Sequence, residues 1–347
     1  MRDIVVIGAG HIGKEIATYL AQYGDCLLVD PNPAALKGWN SCSTFTGSIH
    51  ENPALLSESD LFVVALPGSI AEKTVSLLLE SGKKVVDVSF YQENPMQFSR
   101  YLSGDSLYIP DCGFAPGLSN ILAGHMVRQL GAESIDIFVG GLPLEPKEPF
   151  LHSITWSVEG LIDEYVRTAK IILDGKVVEK DPLIERIQYE PSGFRKLEGF
   201  YSDGLRTMLK TLKIRELREI TLRYPGHLER MKVLRDLGFF EESGNPSPRK
   251  VTESVLARYS DPRDTCILDL ISSGRKTHKV ELRDRGSGDK SSMSRLTGHT
   301  AALVALWVRK NPQLSGLVPP ENLSSDPGTV GYILDGLRRE GVSIQMK

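Results

Sequence analysis

The apolar run Ile4-Val5-Val6-Ile7 leads into Gly8-Ala9-Gly10-His11-Ile12-Gly13, the first residues whose types and spacing could do chemistry. In a Gly-x-Gly-x-x-Gly turn, Gly8 permits the tight turn, Gly10 lets backbone approach a pyrophosphate, and Gly13 lets a helix pack close on a strand. The helix start at His11 and Ile12 offers unpaired N–H groups and the positive end of its dipole. A second apolar run, Cys26-Leu27-Leu28-Val29, ends on Asp30, a carboxylate placed to accept hydrogen bonds from ribose hydroxyls and to repel a 2′-phosphate. Pro31 and Asn32 follow, with no adjacent Arg or Lys to pair with such a phosphate, so the pattern predicts NAD rather than NADP. The irregular stretch Pro110-Asp111-Cys112-Gly113-Phe114-Ala115-Pro116-Gly117 is the next chemical candidate, because it ends a strand and leads away from the expected cofactor crevice.

The elements that must position these residues alternate through the first third. After the Asp30 strand come Ser43 to Thr46, Leu61 to Leu66, Lys84 to Val88 and Leu107 to Ile109, with helical patterns between them. That rhythm implies right-handed crossovers and one parallel sheet, with ligands beyond the carboxyl ends of the strands. Ala65, Leu66, Pro67, Ser89 and Cys112 are therefore expected to wall the cofactor, with Asp111 beside them. The middle reads as strands at 134–139, 169–173, 176–179, 184–189, 217–224, 265–271 and 278–282, with Asp174-Gly175 as a hairpin turn. Residues 241–250 and 285–294 read as loops. Helices are expected from Thr297 to about Lys310 and from Asp326 to Glu340. The fold class is α/β: an N-terminal Rossmann domain at 1–118, rejoined by 300–347, and an α+β domain with a largely antiparallel sheet at 119–299.

Composition narrows the function classes. The 347 residues exceed one ordinary core, and 41% hydrophobic with 24% charged residues is a globular balance. A net charge of −3 argues against a nucleic-acid partner. Cys26, Cys42, Cys112 and Cys266 form no C-x-x-C pair and no His or Cys pair has ligand spacing, so a reduced, cytoplasmic chain without a metal site is expected. The chain opens directly on a strand, without a signal-peptide pattern, and no apolar run approaches a membrane span.

Residues 111–122, the run from Trp156 to Tyr165, Thr221-Leu222-Arg223-Tyr224-Pro225-Gly226-His227 and the closing stretch from Gly331 to Ile344 carry a more specific signal. Through these blocks the chain resembles the saccharopine dehydrogenase-like family, and within it the lysine 6-dehydrogenase branch. The resemblance implies nicotinamide-dependent chemistry at a C–N bond, an amino-acid or diamine substrate, a second domain used for dimerisation, and a homodimer.

Removing hydride from the carbon of an amine requires an unprotonated nitrogen, hence a base near the nicotinamide and groups that hold the substrate. Asp111 is the first candidate, with capping of the following loop as its alternative. His227, on the turn after Tyr224, is the rival base. His152, Trp156 and Glu159 would share one face if their segment were helical, and Glu159 would then meet an ammonium or simply begin a solvated helix. Arg206 and Arg223 compete to fork onto a carboxylate, and Tyr224 is expected with them among the substrate-binding residues. A secondary-amine (saccharopine-type) substrate, or a non-catalytic NAD-binding sensor, remains open beside the lysine reading.

Overall fold

The computed structural model describes residues 2–155, 157–261, 263–288 and 290–347. It divides into two compact units, Met1–His125 with Ser294–Glu340 and Met126–Met293 with Gly341–Lys347. The early strands are β1 (Ile4–Ile7), β2 (Cys26–Asp30), β3 (Ser43–Thr46), β4 (Leu61–Val64), β5 (Lys84–Asp87) and β6 (Leu107–Ile109). The middle holds β7 (Ala132–Pro143), β8 (Ala169–Leu173), β9 (Lys176–Lys180), β10 (Ile187–Tyr189), β11 (Leu197–Tyr201) and β12 (Glu216–Arg223). Then come β13 (Asp264–Gly274), β14 (His278–Arg285), β15 (Gly316–Leu317) and β16 (Ser343–Met346).

The first unit is an all-parallel sheet in the order β15-β6-β5-β4-β1-β2-β3. Both β1 and β4 are buried at every position, which is why unbroken apolar runs rather than alternating ones encode them. The strand order reverses between β1 and β4, so a crevice is expected beyond their carboxyl ends, where Gly8 and Ala65 follow. The helix His11–Leu20 packs on this sheet without any side chain between them at one point. A Cβ on Gly13 would stand 1.8 Å from the Gly8 carbonyl oxygen, and one on Gly8 (φ 105°) would stand 2.3 Å from that of Ala65.

The second unit carries the order β10-β11-β12-β7-β13-β14-β16, with β8 against β12 and β9. Its pairs are antiparallel except β7 with β12. The β8–β9 hairpin turns on Asp174 (φ 48°) and Gly175 (φ 74°), the two left-handed residues of a type I′ turn. One core cluster joins Leu161, Ile162 and Tyr165 of the helix Val158–Val166 to Phe200, Leu228 and Met231; another joins Phe138, Leu142, Ile220, Leu222 and Tyr224.

Several boundaries differ from expectation. The division between units falls after His125, inside the helix Leu118–Leu130, rather than at 118. The chain end splits: 294–340 belongs to the first unit and supplies β15, whereas β16 pairs antiparallel with β14 in the second. The helix Ser292–Lys310 starts ahead of Thr297 because its cap is remote in sequence: Asp264 accepts the N–H groups of Ser292 and of Met293 (3.0 Å). A helix, Pro248–Leu256, begins inside the stretch read as loop, with the Ser247 hydroxyl accepting from Lys250 N–H at 3.1 Å. Among the described residues no helix is long and apolar enough to cross a membrane.

The close approach at Gly13 makes a paired prediction. Gly13→Ala should destabilise by roughly 1–3 kcal/mol or more through overpacking against backbone. Gly331→Ala, in the helix Pro327–Arg339 where an added Cβ meets nothing within 4 Å, should stabilise by about 0.5–1 kcal/mol. Denaturant midpoints of the two variants should move in opposite directions; movement in the same direction would contradict the packing account.

Candidate functional site

At the carboxyl end of β1 the three glycines do different work. Gly8 and Gly13 are required by backbone contact, but a Cβ on Gly10 would meet nothing within 4 Å, and Gly10 has ordinary extended backbone (φ −70°, ψ −176°). Space is therefore left open over the helix N-terminus, beside the exposed His11 and half-buried Ile12. The Asp30 carboxylate accepts from Ala9 N–H at 2.7 Å and from Asn32 N–H at 2.8 Å, tying the glycine turn to the end of β2. An open cradle of N–H groups with a carboxylate at its edge fits a dinucleotide. Ala65 and Leu66, half-buried, and Pro67, exposed, follow β4 on the same side of the sheet.

The carboxyl ends of β5 and β6 carry a buried acidic cluster that the sequence pattern did not reveal. Asp87 closes β5 and is fully enclosed; it accepts from Tyr91 Oη (2.6 Å), Tyr108 Oη (2.9 Å) and Ser89 N–H (2.8 Å). Burial pushes its carboxyl up to about 6, against the pull of those donors. Both phenols are in turn pushed upward, by burial and then by the Asp87 charge, and the nearby Asp111 adds to the effect on Tyr108. Asp111 itself is buried, with left-handed backbone (φ 48°) that Asp tolerates better than most residues. The expected roles of Ser89 and Cys112 change here. Ser89 spends its N–H on Asp87, although its buried Oγ has no partner. Cys112 is wholly enclosed, burial raises its thiol, and its N–H goes to Asp87 O at 2.8 Å, so neither group of Cys112 faces a cofactor.

In the second unit Arg223, Tyr165, His227 and His152 come together. His227 Nδ1 lies 2.7 Å from Phe150 O and Nε2 lies 2.8 Å from Tyr165 Oη, which assigns the proton to Nδ1. Arg223 donates through Nε to Tyr165 Oη (3.0 Å), through one terminal nitrogen to Leu222 O (3.0 Å) and through the other to Glu164. The His152 ring centroid is 5.1 Å from that of His227, and His152 Nδ1 is buried without a partner. Burial, then the Arg223 charge, pulls His227 down to about 3 and His152 well below its usual value.

This arrangement corrects four expected roles. His227 is fully buried with both ring nitrogens engaged, so it cannot take a proton from a substrate in this arrangement. Arg223 has no free edge of its guanidinium for a carboxylate. Tyr224 belongs to the opposite core cluster, its hydroxyl donating to Pro143 O at 2.9 Å. His152 and Glu159 do not share a helical face, because the helix begins at Val158 with Ser157 as its cap and Glu159 is exposed in its first turn; the expected place of Trp156 lies outside the described residues. Arg206 is buried on a left-handed backbone (φ 47°) in the turn after β11. Beside that turn stands a group the sequence reading missed: Glu219 on β12 accepts from Ser202 Oγ at 2.8 Å, while its buried Oε2 has no hydrogen-bond partner. Burial pushes Glu219 up to about 7.

Comparison with known proteins agrees with both parts of the fold. Residues 113–342 match the family model described as saccharopine dehydrogenase C-terminal domain, and residues 3–91 match NADP oxidoreductase coenzyme F420-dependent. Saccharopine dehydrogenase [NADP(+), L-glutamate-forming] of Schizosaccharomyces pombe is 22% identical over 312 residues, 82% of this chain and 69% of that protein. The mitochondrial alpha-aminoadipic semialdehyde synthase of Mus musculus is 22% identical over 316 residues, 82% of this chain but 32% of the longer relative. The apo saccharopine dehydrogenase (L-Glu forming) structure from Saccharomyces cerevisiae superposes with a TM-score of 0.76 at 16% identity, covering 100% of this chain and 99% of that one.

The depressed His227 makes stability depend on pH with a definite sign. Neutral His227 supports the fold fully above its unfolded value near 6.5, and that support is lost as pH falls toward 3. Between pH 7 and pH 5 the loss from this one group is on the order of 2 kcal/mol. Urea unfolding of the chain and of His227→Gln at both pH values should show a smaller pH-dependent loss in the variant, by about that amount. Equal losses would remove His227 from the account.

Proposed function

The chain belongs to the saccharopine dehydrogenase-like family, and from that premise we propose that it is an NAD-dependent oxidoreductase acting on the CH–NH group of an amino acid. The leading substrate is the side-chain amine of L-lysine, oxidised to 2-aminoadipate 6-semialdehyde. The observation that carries the redox part is the open cradle at Gly10, bordered by Ala9, the helix N-terminus and Asp30. Bound there, a nicotinamide dinucleotide supplies the hydride acceptor. The open space at Gly10 and the N–H groups of the helix start, which the packing of Gly8 and Gly13 positions, would hold its phosphates, and Asp30 its ribose.

Asp111 would hold or receive the amine proton, since the nitrogen lone pair must be free as hydride departs. Asp87, poised near pH 6 between Tyr91 and Tyr108, would buffer the charge beside it. The names of the relatives make a secondary amine of the saccharopine type the competing substrate. Such a substrate carries extra carboxylates that need extra cations, and the engagement of Arg223 with Glu164 and Tyr165 favours the smaller amine.

The test is NADH formation by purified protein with lysine, ornithine, saccharopine and simple diamines. Lysine should turn over fastest; saccharopine alone would move the assignment to the secondary amine, and full NAD binding with no turnover across the panel would leave a sensor. NAD should bind at least tenfold tighter than NADP, about 1.4 kcal/mol, and Asp30→Ala should narrow that gap. Equal affinities would sink the cofactor assignment. Asp111→Asn keeps the size and tolerates the same backbone; turnover should fall by roughly 10²-fold with NAD affinity nearly unchanged. Normal turnover would remove Asp111 from the chemistry.

A further inference from the structure

Sixteen-residue spacing hides a thiol pair that the sheet assembles. In the parallel register of β2 and β3, Leu27 lies opposite Ser43, so Cys26 and Cys42 occupy the next rung toward the amino ends of the strands. Neighbouring strands are about 4.8 Å apart, which lies within the Cα separations of disulfides, roughly 4.4–6.8 Å. Both cysteines are free. Their environments differ. Cys26 is buried, whereas Cys42 is half-buried just ahead of the edge strand.

We propose that Cys26 and Cys42 form a dithiol–disulfide couple, a modification site in which Cys42 attacks a hydroperoxide and Cys26 resolves the product. The Cys42 thiolate breaks the O–O bond of the hydroperoxide, taking one oxygen as a sulfenic acid and releasing an alcohol, or water from hydrogen peroxide. The Cys26 sulfur then displaces that oxygen, which leaves as water with the Cys26 proton. The two thiols together lose two electrons and two protons, and the peroxide bond is reduced.

The surroundings assign these roles. The Cys26 S–H, the Leu28 N–H and the Trp39 indole all favour a thiolate on Cys42, drawing it down to about 7 against burial and the Asp25 carboxylate. Trp39 Nε1 is buried without a partner within hydrogen-bonding geometry. Cys26 is buried where Cys42 is half-exposed, so a hydroperoxide meets Cys42 first and Cys26 is left the resolving role. Cys112 and Cys266 are fully buried and lie in different units, which makes them internal references. The rung is at the amino ends of β2 and β3, away from Asp30 at the other end, so cofactor binding should survive oxidation.

The reduced full-length chain is treated with stoichiometric hydrogen peroxide, blocked at its remaining thiols in acid and digested with trypsin without reduction. Lys37 separates the two cysteines, so a disulfide joins two peptides that reduction releases. The expected result is joined peptides, loss of two alkylatable thiols out of four, and retention of Cys112 and Cys266. In Cys26→Ser, Cys42 should stop at the sulfenic acid and be captured by a cyclic 1,3-dione; in Cys42→Ser, Cys26 should stay reduced. Separate peptides from the unmodified chain, sulfenic acid on Cys42 in the presence of Cys26, or equal oxidation of Cys26 in Cys42→Ser would each overturn the proposal. The mapping on the unmodified chain decides the matter even if a variant fails to fold.

Discussion

The contact on which the first unit depends is the one where no side chain fits, between Gly13 of the first helix and the carbonyl of Gly8. That approach lets the helix lie against β1 and aims its unpaired N–H groups over the carboxyl ends of β1 and β4. Gly8 meets a second constraint from Ala65 O, so strand, turn, helix and β4 are locked together by backbone contacts alone. Gly10 alone of the three glycines is not needed for packing. Its lack of a side chain serves a space outside the protein, and this separates a binding glycine from structural ones. Asp30 completes the arrangement by fixing Ala9 from the end of β2.

Burial of titratable groups is the second organising feature. Asp87, Glu219, His227 and His152 are all enclosed, and each has its charged form penalised by desolvation. In the second unit the outcome is a relay in which Arg223 donates to Tyr165, Tyr165 to His227 and His227 to Phe150 O, leaving the imidazole neutral. Such a relay braces a core and offers little to a substrate. The Asp87 cluster differs, because it sits at the strand ends where ligands of this fold class bind and burial pushes its carboxyl up to about 6.

The parallel sheet was legible because strands covered on both faces are written as short unbroken apolar runs, and the β8–β9 hairpin because Asp174-Gly175 supplies two left-handed residues. What escaped was whatever depends on partners far apart in the chain. Asp264 caps a helix that begins at Ser292. The strand expected at 134–139 is part of β7, which runs on through Gly140 and Gly141 to Pro143, the Met293 side chain packing where one on Gly141 would be. The alternation of β12 put Arg223 on a face but could not name Glu164 and Tyr165, which arrive from a helix. Asp87 read as the next residue of a strand, since nothing local announces that two tyrosines converge on it. The thiol pair was hidden for the same reason: it exists only in the register of β2 and β3.

The claim at the centre is that the space above Gly10 belongs to a dinucleotide. Gly10→Ala tests it directly, because the backbone there suits alanine and no protein atom lies within 4 Å of the added carbon. The measurement is NADH binding by fluorescence titration, alongside the urea unfolding midpoint of the same variant. The account predicts an unchanged midpoint with affinity reduced at least tenfold, about 1.4 kcal/mol. Undiminished NADH affinity in a normally folded Gly10→Ala chain would contradict it.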